Sequence, residues 1–99
     1  MIYSLGALNP VIAPDVYVAE SAEVIGDVTL GAESSIWYGC VVRGDVHSIR
    51  IGHKTNVQDN STLHVTHKKC SLNIGDEVTI GHGAILHGCT IGNRVLIGM

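Results

Sequence analysis

Aliphatic residues recur every six positions along this chain. The series runs through Ile12, Val18, Val24, Leu30, Ile36 and Val42, then after three extra residues through Ile51, Val57 and Leu63, then after five more through Ile74, Ile80 and Leu86, and ends one residue short at Ile91 and Ile97. The residue four positions after each aliphatic is usually small or branched. A period of six suits one short strand and one turn, and not a helix pair or a propeller blade. It therefore predicts an all-β solenoid.

Three such units per coil would stack the aliphatics in three columns. The columns are Val24, Val42, Leu63 and Leu86; Leu30, Ile51, Ile74 and Ile91; and Val18, Ile36, Val57, Ile80 and Ile97. We expect each side chain to point inward and to pack on its counterpart about 4.8 Å away, the spacing of neighbouring strands. The pattern resembles the hexapeptide-repeat left-handed parallel β-helix, with three short strands per coil. The left hand is implied by that resemblance.

The composition agrees with a thin β-solenoid formed by residues 1–99 as a single domain. The chain has 12 Gly, no Phe and only four aromatic residues, three Tyr and one Trp. A narrow prism has no room for aromatic side chains inside, and this composition excludes helical bundles and coiled coils. The insertions near Val46-His47-Ser48 and near His67-Lys68-Lys69-Cys70 are expected to bulge from corners as loops, where they often line a binding face.

Charge and cysteine content narrow the classes of partner and the compartment. The net charge is −3, and no basic run is longer than Lys68-Lys69, so nucleic acids and membrane surfaces are not expected partners. No apolar stretch approaches the roughly 20 residues of a membrane span, and the first residues lack the pattern of a signal peptide. The three cysteines, Cys40, Cys70 and Cys89, have no CxxC spacing and indicate reduced thiols in a cytoplasmic protein.

The repeat also places polar residues in register. His64 and His87 each follow a column aliphatic and should lie one coil apart, with Arg43 one coil earlier. Asp59 and His82 should stack in the same way on another side of the prism. Two imidazoles about 4.8 Å apart can both reach a metal through bonds of about 2.0–2.1 Å. A three-histidine site would then need His82 from a neighbouring subunit, and hence a closed ring, most simply a trimer.

Two further histidines are weaker candidates for metal ligands. His47 and His53 have no partner in register, and we interpret both as solvated.

Four segments carry a more specific resemblance. They are VRGD at 42–45, NVQDN at 56–60, LH at 63–64 and IGHGAILHG at 80–88. With these segments the sequence resembles the γ-class carbonic anhydrase family. The resemblance implies a homotrimer in which each metal is bound by His64 and His87 of one chain and His82 of the next. It also implies zinc, with iron or cobalt as alternatives, and the reversible hydration of CO2 to bicarbonate by an activated hydroxide.

The resemblance also assigns supporting roles. Gln58 would orient the hydroxide, and Asn56 would hold Gln58 or the substrate. Arg43 would pair with Asp59 across the interface, with Asp45 in support, and an ion pair between subunits is at least as strong an interpretation as direct chemistry.

Two features depart from the family pattern. Active members can carry a glutamate shortly after the first ligand as a proton shuttle, whereas residues 65–69 contain no acid. His67 has a suitable pKa to relay protons, with a merely solvated loop histidine as the alternative. Residues 95–99 stop inside a coil, short of the capping repeat and C-terminal helix that the resemblance leads us to expect. We therefore interpret the sequence as the N-terminal portion of a γ-carbonic-anhydrase-like domain, truncated after the metal-ligand region.

Two other functions stay open at this point. The first is a metal-binding homologue or assembly module without useful turnover. The second is a hexapeptide-repeat acyltransferase, which would use one catalytic histidine without a metal and commonly a coenzyme A site between coils. Three histidines in metal register argue against the second.

Overall fold

Thirteen β-strands wind into a solenoid in the computed structural model, which describes residues 1–99. They are β1 (Ile2–Tyr3), β2 (Val11–Ile12), β3 (Tyr17–Val18), β4 (Glu23–Leu30), β5 (Ser35–Ile36), β6 (Val41–Ile51), β7 (Asn56–Val57), β8 (Thr62–His64), β9 (Leu72–Ile74), β10 (Thr79–Ile80), β11 (Ile85–His87), β12 (Thr90–Ile91) and β13 (Leu96–Ile97). Every pairing between named strands is parallel. The predicted all-β class is confirmed.

The strands form three faces of a prism. Face 1 contains β1, β8, β11 and the first halves of β4 and β6, and face 2 contains β2, β9, β12 and the second halves of β4 and β6. Face 3 is a separate sheet in the order β13-β10-β7-β5-β3. The long strands β4 and β6 run continuously around the corner between faces 1 and 2. Only glycine fits there, because a Cβ on Gly26, where φ is +80°, would lie 2.4 Å from the carbonyl oxygen of Gly44.

The strand register reproduces the three predicted columns. Val42 pairs with Leu63, Ile51 with Ile74, and Ile80 with Val57, in parallel ladders that join successive coils. The middle members of the columns are fully or almost fully buried: Val24, Leu30, Ile36, Val42, Ile51, Val57, Leu63, Ile74 and Ile80. The members at the two ends of the solenoid are half-buried and pack against this core: Ile12, Val18, Leu86, Ile91 and Ile97. The interior is therefore a stack of branched aliphatics, as the repeat predicts.

Small residues at the inner corners tie the coils together. The Ser61 hydroxyl donates to the carbonyl of Gly81 over 2.9 Å, and the Thr55 hydroxyl donates to that of Gly75 over 2.8 Å. Both side chains are completely buried, so these bonds satisfy polar groups that water cannot reach. The exceptions follow the irregularities of the repeat. Val46 and His67 lie in the insertions and are exposed, and Thr90 is exposed while Cys89 packs on the core, because the next aliphatic comes one residue early.

The two insertions take different forms. The predicted loop at the first insertion is wrong: residues 46–48 remain inside β6 as a bulge. The ladder breaks after Gly44 and resumes at Ile49, so residues 45–48 lie opposite Asp27 alone. Pairing on both sides of the break keeps the segment extended. The second insertion is a loop, as expected, and an antiparallel bridge between Thr66 and Cys70 closes it.

The three cysteines are all free thiols. Cys40 is buried, Cys89 is half-buried against the core, and Cys70 is exposed in the second insertion. Burial raises the pKa of the Cys40 thiol above its usual range. Cys40 and Cys89 therefore serve as small apolar side chains in the packing.

The structure contains no helix that could span a membrane.

Candidate metal centre

His64 and His87 lie side by side at the ends of β8 and β11. The two residues are direct partners in the parallel ladder, and their ring centroids are 5.1 Å apart with the planes at 82°. Both point away from the core because each follows an inward leucine, Leu63 or Leu86. The predicted register of the two histidines is confirmed.

Asp45 anchors the imidazole of His64. The distance from His64 Nε2 to Asp45 Oδ1 is 2.9 Å, and Arg43 Nε lies 3.4 Å from the other carboxylate oxygen. Burial raises the pKa of Asp45, but hydrogen bonds from His64 and from the backbone N–H of Val46, with the charges of His64 and Arg43, outweigh it and lower the pKa. An ionised carboxylate only accepts, so His64 Nε2 donates, and in the neutral form of the ring Nδ1 is then the nitrogen that can bind a metal.

The second group of predicted site residues lies on face 3 and its corner with face 1. The Gln58 amide donates from Nε2 to Asn56 Oδ1, and Asn56 Nδ2 donates to Thr79 Oγ1 over 3.1 Å. These bonds link a coil to the next and hold the Gln58 amide in one orientation. Asp59 and His82 follow on the same corner, each two residues after a paired column residue of β7 or β10.

One chain therefore brings together two of the three predicted ligands. His82 is exposed at its corner, and no three His, Cys, Asp or Glu side chains of the chain lie close enough together to hold a metal ion. Within the chain Arg43 pairs with Asp45. The site residues fall into two halves, one carrying His64 and His87 and the other carrying His82.

The other histidines have different surroundings. His67 is exposed in the second insertion, beside Lys68 and Lys69. His47 Nδ1 accepts from the backbone N–H of Ser48 over 2.9 Å.

The interpretation of His53 as unpartnered is wrong. Its Nδ1 lies 3.1 Å from Asp76 Oδ1. The register could have found this pair, because each residue follows its column aliphatic, Ile51 or Ile74, by two positions.

The donor set fits a borderline-soft divalent metal. Neutral imidazoles are ligands that zinc and iron(II) accept readily, and a carboxylate on the outer nitrogen of a ligating histidine is the usual supporting contact. His64 with Asp45 has this arrangement, and His87 supplies a second imidazole beside it.

Sequence comparisons relate the chain to γ carbonic anhydrases. It is 53% identical over 95 residues to "Gamma carbonic anhydrase 1, mitochondrial" of Arabidopsis thaliana, covering 91% of this chain and 34% of that protein. It is 53% identical over 98 residues to protein YrdA of Escherichia coli K12, covering 93% and 53%. It is 49% identical over 88 residues to a "Probable carbonic anhydrase" of Methanocaldococcus jannaschii, covering 89% and 55%. The chain thus spans about a third to about half of the length of these relatives. No family model matches the sequence.

Solved structures support the fold. A hexapeptide transferase family protein from Anaplasma phagocytophilum matches with a TM-score of 0.91 and 44% identity, over 97% of this chain and 55% of that one. A putative acetyltransferase from Bacillus cereus matches with a TM-score of 0.86 and 44% identity, over 90% and 51%. Over nearly its whole length, the chain is therefore γ-carbonic-anhydrase-like in sequence and a hexapeptide-repeat left-handed β-helix in fold.

Proposed function

We propose that this chain forms the metal-bearing part of a zinc-dependent γ-class carbonic-anhydrase-like enzyme that hydrates CO2 reversibly to bicarbonate. The observation that carries the proposal is the pair His64 and His87, in register with rings 5.1 Å apart and with Asp45 bonded to His64. Relatives named as carbonic anhydrases share about half of its residues, which supports the same chemistry.

Each metal would be held by His64 and His87 of one copy and His82 of the next. Such a shared site needs a closed ring, and a homotrimer is the simplest ring that provides it. When bound, zinc would lower the pKa of water to about 7 and so supply hydroxide at neutral pH. Iron or cobalt could take its place, because both accept imidazole ligands.

The chain's own residues would hold and orient the reactants. Gln58 presents its amide in one orientation, fixed by Asn56, and would orient the hydroxide toward CO2. Asp45 holds the His64 ring and keeps its proton on Nε2. Arg43 would join two copies through Asp59.

His67 would exchange protons with solvent. It lies exposed in the loop at residues 66–70, close in sequence to the ligand His64, and an imidazole is the side chain best suited to proton exchange near neutral pH.

We further propose a cytoplasmic location. Three free thiols, one of them exposed at Cys70, suit a reducing compartment.

Metal analysis and an activity assay on one sample test the proposal. We expect bound zinc and a CO2 hydration rate above that of buffer by stopped-flow, with both lost in His64→Ala. His53→Ala is the matched control and should retain both, because His53 pairs with Asp76 away from the site. Zinc bound by the three histidines with no rate above buffer, even at high pH where hydroxide is plentiful, would instead indicate a metal-binding homologue without turnover.

An acyltransferase is the second candidate, because the solved relatives bear the names acetyltransferase and hexapeptide transferase. A groove of about 360 Å³ lies on face 2 and is lined by Arg50, Asn73 and Thr90 among others. Calorimetry with acetyl-CoA separates the two functions. Tight binding of acetyl-CoA by a chain that takes up no zinc would contradict the carbonic anhydrase proposal.

A further inference from the structure

Three of the four aromatic side chains form a cluster on the outside of the prism. The ring centroids of Tyr17 and Trp37 are 5.0 Å apart, those of Trp37 and Tyr38 are 6.0 Å apart, and the two tyrosine hydroxyls are 3.4 Å apart. The Trp37 indole N–H donates to the Ser35 hydroxyl over 2.9 Å. Tyr38 still has 52% of its surface exposed. The cluster is thus linked by contacts among its own side chains and remains exposed, and it contributes little to the core.

The face that carries this cluster has no charge in its outward row. The outward residues of its five strands are Tyr17, Ser35, Asn56, Thr79 and Leu96. Enrichment in tyrosine and tryptophan, with depletion of charged residues, marks the centre of a protein interface rather than an ordinary surface. Face 3 is therefore the face best suited to contact another protein.

Tyr38 also belongs to a regular line of residues, which we name the corner ridge: Tyr38, Asp59 and His82. Each lies two residues after a member of one paired column, and the backbone N–H groups of Asn60 and Gly83 donate to the carbonyls of Tyr38 and Asp59, each over 2.9 Å. The ridge therefore rises by one residue per coil along the corner between faces 3 and 1.

A second line, which we name the histidine row, runs along face 1: Ile25, Arg43, His64 and His87. Ile25 pairs with Arg43 and His64 with His87, while Arg43 and His64 each follow a residue of the paired Val42 and Leu63. The row and the ridge have the same repeat, since both follow the strand spacing of about 4.8 Å.

The equal repeats fix what the ridge meets on a neighbouring copy. The argument rests on the proposed function, in which His82 reaches His64 and His87 of the next copy. It adds one premise, that the axis of the ring is parallel to the solenoid, so that the coils of neighbouring copies rise in the same direction. One coil lower, Asp59 then lies opposite the space between Arg43 and His64 of the next copy. There it can pair with Arg43, which is the inter-subunit pair that the family resemblance implies. Two coils below His82, Tyr38 lies opposite the space between Ile25 and Arg43 of the next copy.

We propose that Tyr38 docks onto a second copy of this chain, in a seat formed by that copy's Ile25 and Arg43. The chemistry is complementary: Ile25 offers a half-buried aliphatic surface, and the half-exposed Arg43 guanidinium can lie on the phenol ring. Trp37 and Tyr17 brace Tyr38 from its own chain. Tyr38 is thus a positioning residue, which sets the height at which His82 enters the partner's site.

Disulfide trapping tests the seat directly. Tyr38→Cys combined with Ile25→Cys, in a Cys70→Ser background, should give covalently linked dimers and trimers on a non-reducing gel after mild oxidation. Tyr38→Cys with Val11→Cys is the matched control, since Val11 is 63% exposed but lies on face 2. The proposed seat would be contradicted if the first double variant formed no linked species. It would also be contradicted if the two double variants formed linked species in equal amounts. The trapping is done in chelator, so a failure to bind zinc or to hydrate CO2 would leave its result intact.

Association measurements provide a second readout. Tyr38→Ala should raise the concentration needed for half-association by about tenfold or more in sedimentation experiments, as expected for a central tyrosine of an interface. Val11→Ala should leave association unchanged, and circular dichroism should show both variants folded. Wild-type chain that stays monomeric at all concentrations, or Tyr38→Ala that associates like wild type while zinc binds normally, would contradict the seat. The latter result would contradict the seat of Tyr38 but not the proposed metal site.

Discussion

At the scale of single residues, Asp45 connects the bulge of β6 to the candidate metal centre. It accepts from His64 over 2.9 Å and pairs with Arg43, and the bulge at residues 45–48 gives the segment the room to do so. A carboxylate in this position fixes both the tautomer and the orientation of a ligating imidazole. The sequence suggested only a supporting role for Asp45 toward Arg43, because the path of an inserted segment is not encoded in the repeat.

Replacing Asp45 by Asn should therefore weaken metal binding. We expect Asp45→Asn to lower zinc affinity by about 10–100-fold, the usual cost of losing such a supporting contact, without unfolding the chain. Competition with a chromogenic chelator measures the change.

Asp76→Asn is the matched control for this substitution. Asp76 contacts His53 in a similar histidine–aspartate pair away from the site, and its replacement should leave zinc affinity unchanged. Equal affinities for Asp45→Asn and wild type would show that Asp45 does not support a metal ligand.

At the scale of strands, each inward column is a stack of aliphatic side chains, and the neighbours above and below bury its middle members from solvent. Leu63 lies between Val42 and Leu86 and is completely buried, whereas Leu96 on β13 points outward and is 73% exposed. The same side chain thus occurs in two opposite environments of the same repeat.

Leucine-to-alanine substitutions at these two positions should differ sharply in stability. Leu63→Ala leaves a cavity in the stack and should lower the free energy of unfolding by about 2–5 kcal/mol. Leu96→Ala should change it by no more than about 0.5 kcal/mol. Urea denaturation followed by circular dichroism measures both, and similar losses at the two positions would contradict the assignment of inward and outward faces.

The repeat makes most of these strands predictable from the sequence. In a solenoid, contacts join residues at one nearly fixed separation, so the six-residue period places Val42 under Leu63 and His64 under His87 without further information. The first insertion could not be placed in the same way, because a bulge and a loop of equal length leave the same gap in the period. The pairing of His53 with Asp76 was accessible to the same arithmetic and required only that it be applied to every histidine.

At the scale of the whole molecule, the chain divides its candidate site between two parts of its surface. His64 and His87 lie on face 1, with Asp45 in the bulge at its corner with face 2, while His82, Gln58 and Asn56 belong to face 3 and its corner with face 1. The division is a consequence of the prism: side chains on different sides of a rigid coil cannot turn to one point. The outward aromatic cluster beside the second group was hidden from sequence reasoning, because the repeat explains why aromatics are absent from the interior and leaves their arrangement outside undetermined.

The division makes a strict prediction about mixed rings, which is the most direct test of the shared site. Neither His82→Ala nor His64→Ala should bind zinc alone. In a mixed ring, however, a His82→Ala chain still has His64 and His87, and it forms one complete site with the His82 of an adjacent His64→Ala chain. Random mixing in equal amounts makes three quarters of the trimers mixed, each with one intact site of three, so about a quarter of the wild-type zinc should return.

The measurement is zinc content together with solution mass, on the two variants alone and after unfolding and refolding them together. A site shared between copies predicts near-zero zinc in each variant alone. It predicts about a quarter of the wild-type content in the whole refolded mixture, bound to species of trimeric mass. Mixed trimers that bind no zinc would contradict it, as would full zinc binding by monomers of the wild-type chain.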